Sequence, residues 1–431
     1  MADEPALPDT PAGRQAEWFL RHTRTKGRDL TVEEIRDHQV IGETWTAEDS
    51  LARFREADDR PFRMGWVKEA SPHAVEIHLD YGDDRPFNLT VEVEEDPPHL
   101  IGRIFFARAI PEDIVIRPAQ DSDGAALNDL EVRAPMQLGD GTLLTYDRGP
   151  DFLGFGRLMG NNICFVAERD GHLLGLACGA SHRVRIGGRD HTVMLLHHLR
   201  VPVEHRKGGI FSSLNNHVFG AFHGRTDAAY GYTSLDNPEA MRIGGPGTWS
   251  VTVYRMVLDC PALAGPAHGR VATPADATLV ADILNRAHDA EEAYLPHTAE
   301  SFSERMQRAP ELYSWDQVLV GDGAVLGVWL AGIRLTSEHE GRRRLSTRAV
   351  VLDHGFAPGA GEEQVALLRS WAARLVELGH TEMTLVTSES SPAYPVVAPL
   401  AAKLDPFAYR MAVPEPEGTG ERGVYVDAIY F

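Results

Sequence analysis

The sequence predicts an α/β protein in which one strand and helix pattern occurs twice, after a smaller α+β segment. An apolar strand over 195–201 leads into a basic, glycine-containing turn and then into a helix. Much of this pattern recurs about 152 residues later, and such internal periodicity indicates duplicated units. The amino-terminal segment does not share it. We therefore expect a disordered tail over 1–14, an accessory domain over 15–112, and two related domains over 113–264 and 265–431.

The elements of the amino-terminal segment follow from two helix-start patterns and three apolar runs. Thr31 and Thr46 are each followed three residues later by an acidic residue, which marks a helix start. Apolar residues alternate over 75–81 and 87–93 and recur over 101–106, which predicts a three-stranded meander. We expect an accessory or oligomerisation role here and assign no catalytic residue to this segment.

The first copy reads in the order strand, helices, three strands, helix, strand, helix, strand. The dipeptide Asp170-Gly171 between two apolar runs is a strong hairpin signal. Apolar residues at helical spacing predict a helix over 210–222. The further strands predicted for this copy cover 114–119, 164–168, 173–177, 228–234 and 249–258.

The turn between the strand and the helix has the composition of a diphosphate site. Gly208 and Gly209 let the main chain approach an anion closely, and a helix that starts at Ile210 offers unpaired backbone N–H groups. Arg206 and Lys207 add positive charge where phosphate oxygens would lie. The alternative is an ordinary surface turn before a helix.

The run Arg206-Lys207-Gly208-Gly209-Ile210-Phe211 resembles motif A of the GNAT superfamily of acyl-CoA N-acyltransferases. That motif is a strand followed by Arg/Gln-x-x-Gly-x-Gly/Ala at a helix start, and Phe211 departs from it because the family has a small residue there. The resemblance implies two tandem GNAT folds, each a mixed, mostly antiparallel sheet flanked by helices, with acetyl-CoA as cofactor. In the family the strand before the turn splays from its neighbour and binds pantetheine. The cofactor-binding residues implied here are Leu199, Arg200, Val201, Arg206, Lys207, Gly208, Gly209, Ile210, Phe211 and Asn237.

The second copy repeats the glycines of this turn but not its charges. Glycines recur at the same offset at Gly323 and Gly361, but Pro358 stands where the first turn has its arginine. Glu362 and Glu363 at the helix start favour the helix dipole but repel a phosphate. We expect a degenerate, mainly structural domain that shapes the acceptor cleft. A second acyl-CoA site held by backbone alone is the alternative.

Two adjacent histidines precede the first turn on its strand. Strict alternation places His197 on the face of Leu195 and His198 on the opposite face, so one of them can face the acceptor. His197 lies where several small-amine acetyltransferases of this superfamily place a basic side chain, and histidine can take an ammonium proton directly or through water. We expect His197 as the base, ahead of His198. Alternatively, the pair packs, hydrogen-bonded, between sheet and helix.

The general acid has no obvious candidate, because no tyrosine stands on the helix after the fifth strand, where many family members carry one. Ser234, Tyr232, Tyr254 or a water would serve instead. The loop around Arg206 also resembles that of Eis-like multidomain acetyltransferases, in which the terminal carboxylate enters the active site. This makes Phe431 a candidate, and the alternative is an ordinary edge strand.

Composition and charge limit the partners. A formal net charge of −21 over 431 residues makes nucleic acid a poor partner. No apolar run approaches the length of a membrane span, so we expect no membrane partner. Three cysteines without metal-like spacing and the lack of a signal core predict a reduced, cytoplasmic setting and no metal site. The expected partner is a small-molecule amine, with a homo-oligomer possible.

Three functions follow. The first is transfer of an acetyl group from acetyl-CoA to a small-molecule amine by direct attack in a ternary complex, as in antibiotic biosynthesis or resistance, where tandem GNAT proteins of this size are frequent. The second is a non-catalytic acyl-CoA-binding scaffold, motivated by Phe211 and the absent tyrosine. The third is a protein or peptide acetyltransferase, which would need an open acidic groove beside the turn.

Overall fold

The computed structural model describes residues 5–41, 46–56, 61–82, 86–138, 140–206, 208–237, 249–412 and 422–431. Lys207 of the expected cofactor set lies outside the described residues. So do residues 238–248, which follow Asn237.

Helices and strands occur in the following order. The α-helices are α1 (Pro11–Thr25), α2 (Val32–His38), α3 (Ala47–Arg55), α4 (Gly124–Arg133), α5 (Gly154–Met159), α6 (Ile210–Phe222), α7 (Cys260–Leu263), α8 (Ala277–His288), α9 (Ala299–Gln307), α10 (Gly361–Glu377) and α11 (Tyr394–Val397). The strands are β1 (Arg63–Ala70), β2 (Ala74–Asp80), β3 (Phe87–Val93), β4 (Ile101–Arg108), β5 (Val115–Pro118), β6 (Met136–Gln137), β7 (Leu143–Asp147), β8 (Asn161–Arg169), β9 (His172–Ile186), β10 (Arg189–Arg200), β11 (Ala228–Ser234), β12 (Trp249–Asp259), β13 (Arg270–Val271), β14 (Val318–Val320), β15 (Ala324–His339), β16 (Arg342–Phe356), β17 (Glu382–Ser388) and β18 (Lys403–Met411).

Local sequence patterns predicted several element boundaries correctly. The predicted helix over 210–222 is α6, and the predicted strand over 228–234 is β11. Thr31 and Thr46 cap the starts of α2 and α3 through their side chains. The expected disordered tail over 1–14 is too long, because Thr10 already caps α1 and Ala12 and Gly13 in the first turn of that helix are buried.

Contacts divide the chain into two compact units. The first unit comprises residues up to Ile116 together with 167–172 and 203–217, and the second unit comprises the others. The borders differ from the domains expected over 15–112 and 113–264. The glycine turn belongs to the same unit as the amino-terminal sheet, which the sequence repeat does not reveal.

The sheet of the first unit has the strand order β1-β2-β3-β4, one strand more than the predicted meander. β1 was missed for a physical reason. Its pairing with β2 shifts register between Met64 and Trp66 and again between Val67 and Glu69. Each irregularity breaks the two-residue alternation on which strand prediction depends.

The sheet of the second unit runs in the order β13-β14-β15-β16-β17-β12-β18-β11-β10-β9-β8-β5. At the centre of this sheet, the last strand of each copy pairs with a strand of the other copy. β12, the last strand of the first copy, pairs antiparallel with β17 of the second copy. β18, the last strand of the second copy, pairs antiparallel with β11 of the first copy. β12 and β18 also pair with each other, so the two copies share one continuous sheet.

Both copies also repeat their internal contacts. Arg117 bonds to Asp123 at 2.7 Å, and Arg270 bonds to Asp276 at 2.8 Å, each pair at the entrance to the first helix of its copy. In each copy one neighbouring strand pair is parallel, β10 with β11 and β16 with β17. Of the helices in the described ranges, none combines the length and hydropathy of a membrane-spanning segment.

Candidate functional site

Strand β10 separates from β11 before it reaches the turn. The parallel pairing runs from Val193 opposite Ala228 to Leu195 opposite Tyr230, and the described pairs stop there. On its other edge β10 stays paired with β9, but with a bulge between His197 and Arg200. The remaining part of β10 and the next residue carry Leu199, Arg200 and Val201. This is the splay that the resemblance implied for the pantetheine-binding residues.

The two histidines at the bulge contact each other instead of facing opposite sides. Their Nδ1 atoms lie 2.7 Å apart, and His197 Nε2 lies 2.9 Å from Asn162 Oδ1. The prediction from strict alternation is therefore wrong. His198 has a backbone φ of 48°, which turns its side chain out of the strand pattern. Its ring stacks on Phe155 with centroids 4.2 Å apart.

These contacts assign the protons of the pair. Asn162 Oδ1 is an acceptor, so His197 donates through Nε2 and accepts at Nδ1 from His198 Nδ1–H. His198 Nε2 then carries a lone pair, and that buried atom has no hydrogen-bond partner among the described residues. Burial, assisted by the charge of Arg148, lowers the pKa of His197 to about 3. The geometry thus favours the packed, hydrogen-bonded alternative for the pair, and the role of His197 as base stays a prediction.

Tyr146, which the sequence did not single out, lies in a cluster of arginines. Its hydroxyl accepts a hydrogen bond from Arg255 Nη1 at 3.3 Å, and the guanidinium of Arg148 lies 5.5 Å from its ring centroid. Burial alone would raise the pKa of Tyr146, but the charges of Arg255 and Arg348 lower it below its usual value. No local motif could have indicated this, because β7 pairs with β15, which lies far away in sequence.

The remaining predicted catalytic residues gather around Phe407. Ser234 ends β11 opposite Phe407, is buried, and accepts a long hydrogen bond from Asp236 N at 3.4 Å. Asn237 donates its backbone N–H to the carbonyl of Ser234 at 3.0 Å. The ring of Phe431 lies 4.9 Å from that of Phe407 and 4.7 Å from that of Tyr232. The structure therefore brings Ser234, Asn237 and Phe431 to one place and holds the histidines against Phe155 and Asn162.

The glycine turn of the first unit begins with a short 3₁₀ helix, Val203–His205, and ends where α6 starts. Gly209 has a φ of 83°. A Cβ atom there would lie 2.6 Å from the carbonyl oxygen of Arg108, so only glycine fits. Phe211 is 41% exposed, so its ring does not fill the core below the turn.

The corresponding turn of the second copy is followed by a carboxylate that binds the neighbouring hairpin. Both carboxylate oxygens of Glu363 accept backbone hydrogen bonds, from Asp322 N at 2.7 Å and Gly323 N at 2.8 Å. The carboxylate thus occupies backbone donors of the adjacent hairpin. This inward position joins the repulsion of phosphate as a second reason to expect a degenerate turn.

Comparisons with known proteins identify the fold. No protein-family model and no curated protein sequence matches the chain. Among solved structures, Saccharomyces cerevisiae N-myristoyltransferase with bound myristoyl-CoA aligns with a TM-score of 0.54 at 9% identity, over 78% of this chain and 92% of that one. The same enzyme with myristoyl-CoA and inhibitors gives 0.52 at 10% identity, over 74% and 82%.

The fold is therefore that of the GNAT-type acyltransferases, a mixed and mostly antiparallel sheet flanked by helices. A GCN5-related N-acetyltransferase from Sphaerobacter thermophilus also aligns, with a TM-score of 0.44 at 15% identity over 72% of this chain and 99% of that one. The fold assignment rests on the two higher scores. At such identities the likeness concerns the fold, and the chemistry must be argued from the residues.

Proposed function

We propose that this protein is an acyl-CoA-dependent N-acyltransferase that moves an acetyl group from acetyl-CoA to the amine of a small molecule. The observation that carries the proposal is the separation of β10 from β11 beyond Leu195. It opens one main-chain edge of β10 directly before the glycine turn in sequence. The GNAT-type fold supports the same activity, since this edge is where the family binds its cofactor.

The cofactor would be held mainly by backbone. Leu199, Arg200 and Val201 would bind the pantetheine arm, and a backbone N–H of this segment would polarise the thioester carbonyl. The amides from Gly208 to Phe211 at the start of α6 would bind the diphosphate. Arg206 and Lys207 would add charge, and Asn237 is assigned to the same cofactor.

The transfer requires three events. The neutral amine attacks the thioester carbon, so a C–N bond forms while the carbonyl oxygen takes up negative charge. The C–S bond then breaks, the thiolate of coenzyme A takes a proton, and the nitrogen loses one. Donors already oriented toward the developing oxyanion stabilise it without reorganisation.

Tyr146 meets the chemical requirement for the proton donor better than Tyr232 does. Burial raises the pKa of Tyr232 well above its usual value, whereas the arginines lower that of Tyr146. A lower phenol pKa makes a stronger acid toward a departing thiolate. The donors proposed from sequence stay Ser234, Tyr232, Tyr254 or a water, and thiol release by the Tyr146→Phe variant separates them from Tyr146. His197 stays the proposed base, with His198 behind it, and a pH profile of the His197→Gln variant tests that role.

Calorimetry with acetyl-CoA, followed by thiol-release assays over a panel of amines, tests the proposal on the full chain. We expect binding and amine-dependent release of thiol. Binding without release would support the scaffold alternative, and absence of binding would reject both. Acetyl-, octanoyl- and myristoyl-CoA should be compared as donors, since the solved N-myristoyltransferase binds the longest of these. A peptide amine in the panel tests the third function.

The turn is tested by Arg206→Ala. Removal of one guanidinium from a phosphate contact should weaken acetyl-CoA binding roughly tenfold. Arg206 is exposed, so the variant should fold normally. The matched control is Arg225→Ala, which removes another exposed arginine beyond the end of α6. Equal affinities in the two variants would remove Arg206 from the site.

A further inference from the structure

Two arginines of the second unit share one buried carboxylate. Arg148 Nε donates to Glu131 Oε2 at 2.9 Å, and Arg200 Nη2 lies 3.6 Å from Glu131 Oε1. The side chain of Glu131 is 1% exposed, whereas those of Arg148 and Arg200 are 17% and 24% exposed. The carboxylate is therefore closed to a ligand, and the two guanidinium groups stay open to one.

The hydrogen bonding of these two guanidinium groups is incomplete. Within the described residues, Arg148 donates from its side chain only through Nε, so its Nη groups lack an acceptor. Arg200 Nη1 donates to the carbonyl oxygen of Leu199 at 3.1 Å, but its approach to Glu131 is too long for a hydrogen bond. The pair thus has N–H donors to spare and one more positive charge than Glu131 balances.

The next acidic side chain does not remove this excess of positive charge. Asp405 Oδ2 accepts from Arg255 Nη2 at 2.8 Å, and Asp405 Oδ1 lies 2.8 Å from Lys403 Nζ. Asp405 is therefore shared by two cations as well. Burial would raise the pKa of Tyr146, but the surrounding arginines, Arg200 among them, lower it. Tyr146 thus lies in a region of positive charge, although the whole chain carries a net charge of −21.

The arginine pair lies among the groups that the proposed transfer uses. The guanidinium of Arg148 is 5.5 Å from the ring centroid of Tyr146, the proposed proton donor. It is 5.8 Å from the ring centroid of Phe155, on which His198 stacks. Arg200 belongs to the segment of β10 assigned to the pantetheine arm. A group bound by Arg148 would therefore lie close to the place where the amine must meet the thioester.

A carboxylate fits these donors. A guanidinium presents parallel N–H groups that match the two oxygens of a carboxylate, and this charge-assisted contact is stronger than one between neutral groups. The single excess charge suits a carboxylate better than a phosphate monoester, which carries about −1.5 to −2 at pH 7. An acetyl group has no carboxylate, so in the proposed reaction the carboxylate must belong to the acceptor. In an α-amino acid one carbon separates it from the amine.

We propose that Arg148 binds the carboxylate of the acceptor, with Arg200 adding positive charge beside it, and that the acceptor is an amino acid or another amine with a carboxylate close to its amino group. The inference rests on the proposed function and narrows its substrate class. It also gives a binding role to charged residues that the transfer itself does not use.

The test compares amino acids with their carboxamides as acceptors, in thiol-release assays with acetyl-CoA. A carboxamide keeps the shape of the carboxylate but carries no charge. The kcat/KM for the amino acid, divided by that for its carboxamide, should be roughly tenfold larger in the wild type than in Arg148→Met, the size of one charge-assisted contact. The two amines differ in basicity, and comparison of this ratio between two proteins cancels that difference.

Two further variants accompany this one. Arg148→Lys keeps the charge beside Glu131 but loses the parallel donors, so its ratio should fall between those of the wild type and Arg148→Met. It also provides the measurement if the methionine variant does not fold, which thermal unfolding checks. Arg334→Met is the control, because it removes an exposed arginine paired with Asp147, the residue before Arg148. It should keep the wild-type ratio.

The outcomes separate this inference from the proposed function. The wild-type ratio in both Arg148 variants would overturn the inference and leave the proposed function standing. Succinyl-CoA with a neutral amine is a further arm, because a carboxylate on the acyl group would suit the same guanidinium. A wild-type preference for succinyl-CoA over acetyl-CoA that is lost in Arg148→Met would place the carboxylate on the donor and overturn the inference. Absence of thiol release with every amine would overturn the proposed function and this inference with it.

Discussion

The two turns between strand and helix repeat glycines but differ in backbone conformation and in charge. In the first copy Gly209 has positive φ, whereas in the second copy the positive φ falls at Gly359 and not at Gly361, the counterpart of Gly209. The first turn carries Arg206 near its helix start, whereas the second directs Glu363 onto its own hairpin. The comparison teaches that a repeated glycine pattern can carry opposite charges. The backbone amides that Glu363 occupies belong to the neighbouring hairpin and not to the turn itself.

The two copies also differ in charge at the residue that lies beside the bulge of their long strands, β10 and β16. In the first copy, Val201 follows the bulge of β10, and the nearby histidines are held neutral by burial. In the second copy, Asp353 stands at the corresponding position of β16 and is fully buried. Arg305 lies between Asp353 and Asp427, with bonds to Asp427 at 2.7 and 3.0 Å. A position that is apolar in one copy is thus part of a buried charge cluster in the other.

We expect the largest effect on stability when Arg305, the cation of this buried cluster, is replaced. Arg305→Met leaves the carboxylates of Asp353 and Asp427 buried without their cation. Removal of one partner from a buried ion pair costs about 3–5 kcal/mol, so the free energy of unfolding should fall by that amount. Urea unfolding followed by tryptophan fluorescence measures it.

The control for this variant is Arg270→Met, which removes an arginine from the exposed pair with Asp276. Its unfolding free energy should stay close to that of the wild type, because exposed pairs contribute little. The free energy of unfolding at low pH gives a second check. The pKa of Asp427 is lowered, since the charge of Arg305 outweighs the effect of burial. The wild type should therefore lose this contribution as the pH falls below about 4, the ordinary pKa of aspartate. A stable Arg305→Met protein would mean that the cluster is not needed by the fold.

The sequence predicted those structural features that depend on residues close together in the chain. The bounds of α6 and β11 and the caps at Thr31 and Thr46 follow from spacing along a few turns. The splay of β10 followed from the resemblance. The rest depends on distant pairings. Nothing near Tyr146 in sequence indicates that β7 pairs with β15, and nothing near β12 indicates that it crosses to β17.

The prediction that His197 and His198 face opposite sides of the strand failed for a related reason. Alternation along β10 holds only while each residue advances the strand regularly, and the bulge after His197 ends that regularity. A single sequence with two adjacent histidines carries no signal of positive φ at His198. The core arginines could not be paired from sequence either, because Arg305 and Asp427 lie on different elements far apart in the chain.

A smaller effect is expected at Glu363, which follows the turn of the second copy. In Glu363→Gln one oxygen remains to accept a backbone N–H, and the other is replaced by an amide nitrogen that cannot. One charge-assisted bond is lost, which should cost about 1.5 kcal/mol of unfolding free energy. Glu362→Gln is the matched control, since Glu362 is exposed and precedes it directly. Calorimetry should still find no second acetyl-CoA bound to the Glu363→Gln protein. A second bound cofactor would show that the negative charge of Glu363 alone had excluded it.

The smallest expected effect is a difference in protonation between two buried histidines, His197 in the first copy and His288 in the second. Burial lowers the pKa of His197 to about 3. Burial also acts to lower the pKa of His288, but the carboxylate of Glu291 raises it above its usual value. Titration followed by NMR should therefore leave the ring signals of His197 unmoved between pH 8 and 5, while His288 still carries its second proton at pH 6.5. His288 contributes stability below about pH 6.5 and loses it as the pH rises through its raised pKa, whereas His197 opposes folding increasingly as the pH falls below about 6.5. Titration of His197 near pH 6.5 would restore it as a base suited to neutral pH and remove the contrast between the two copies.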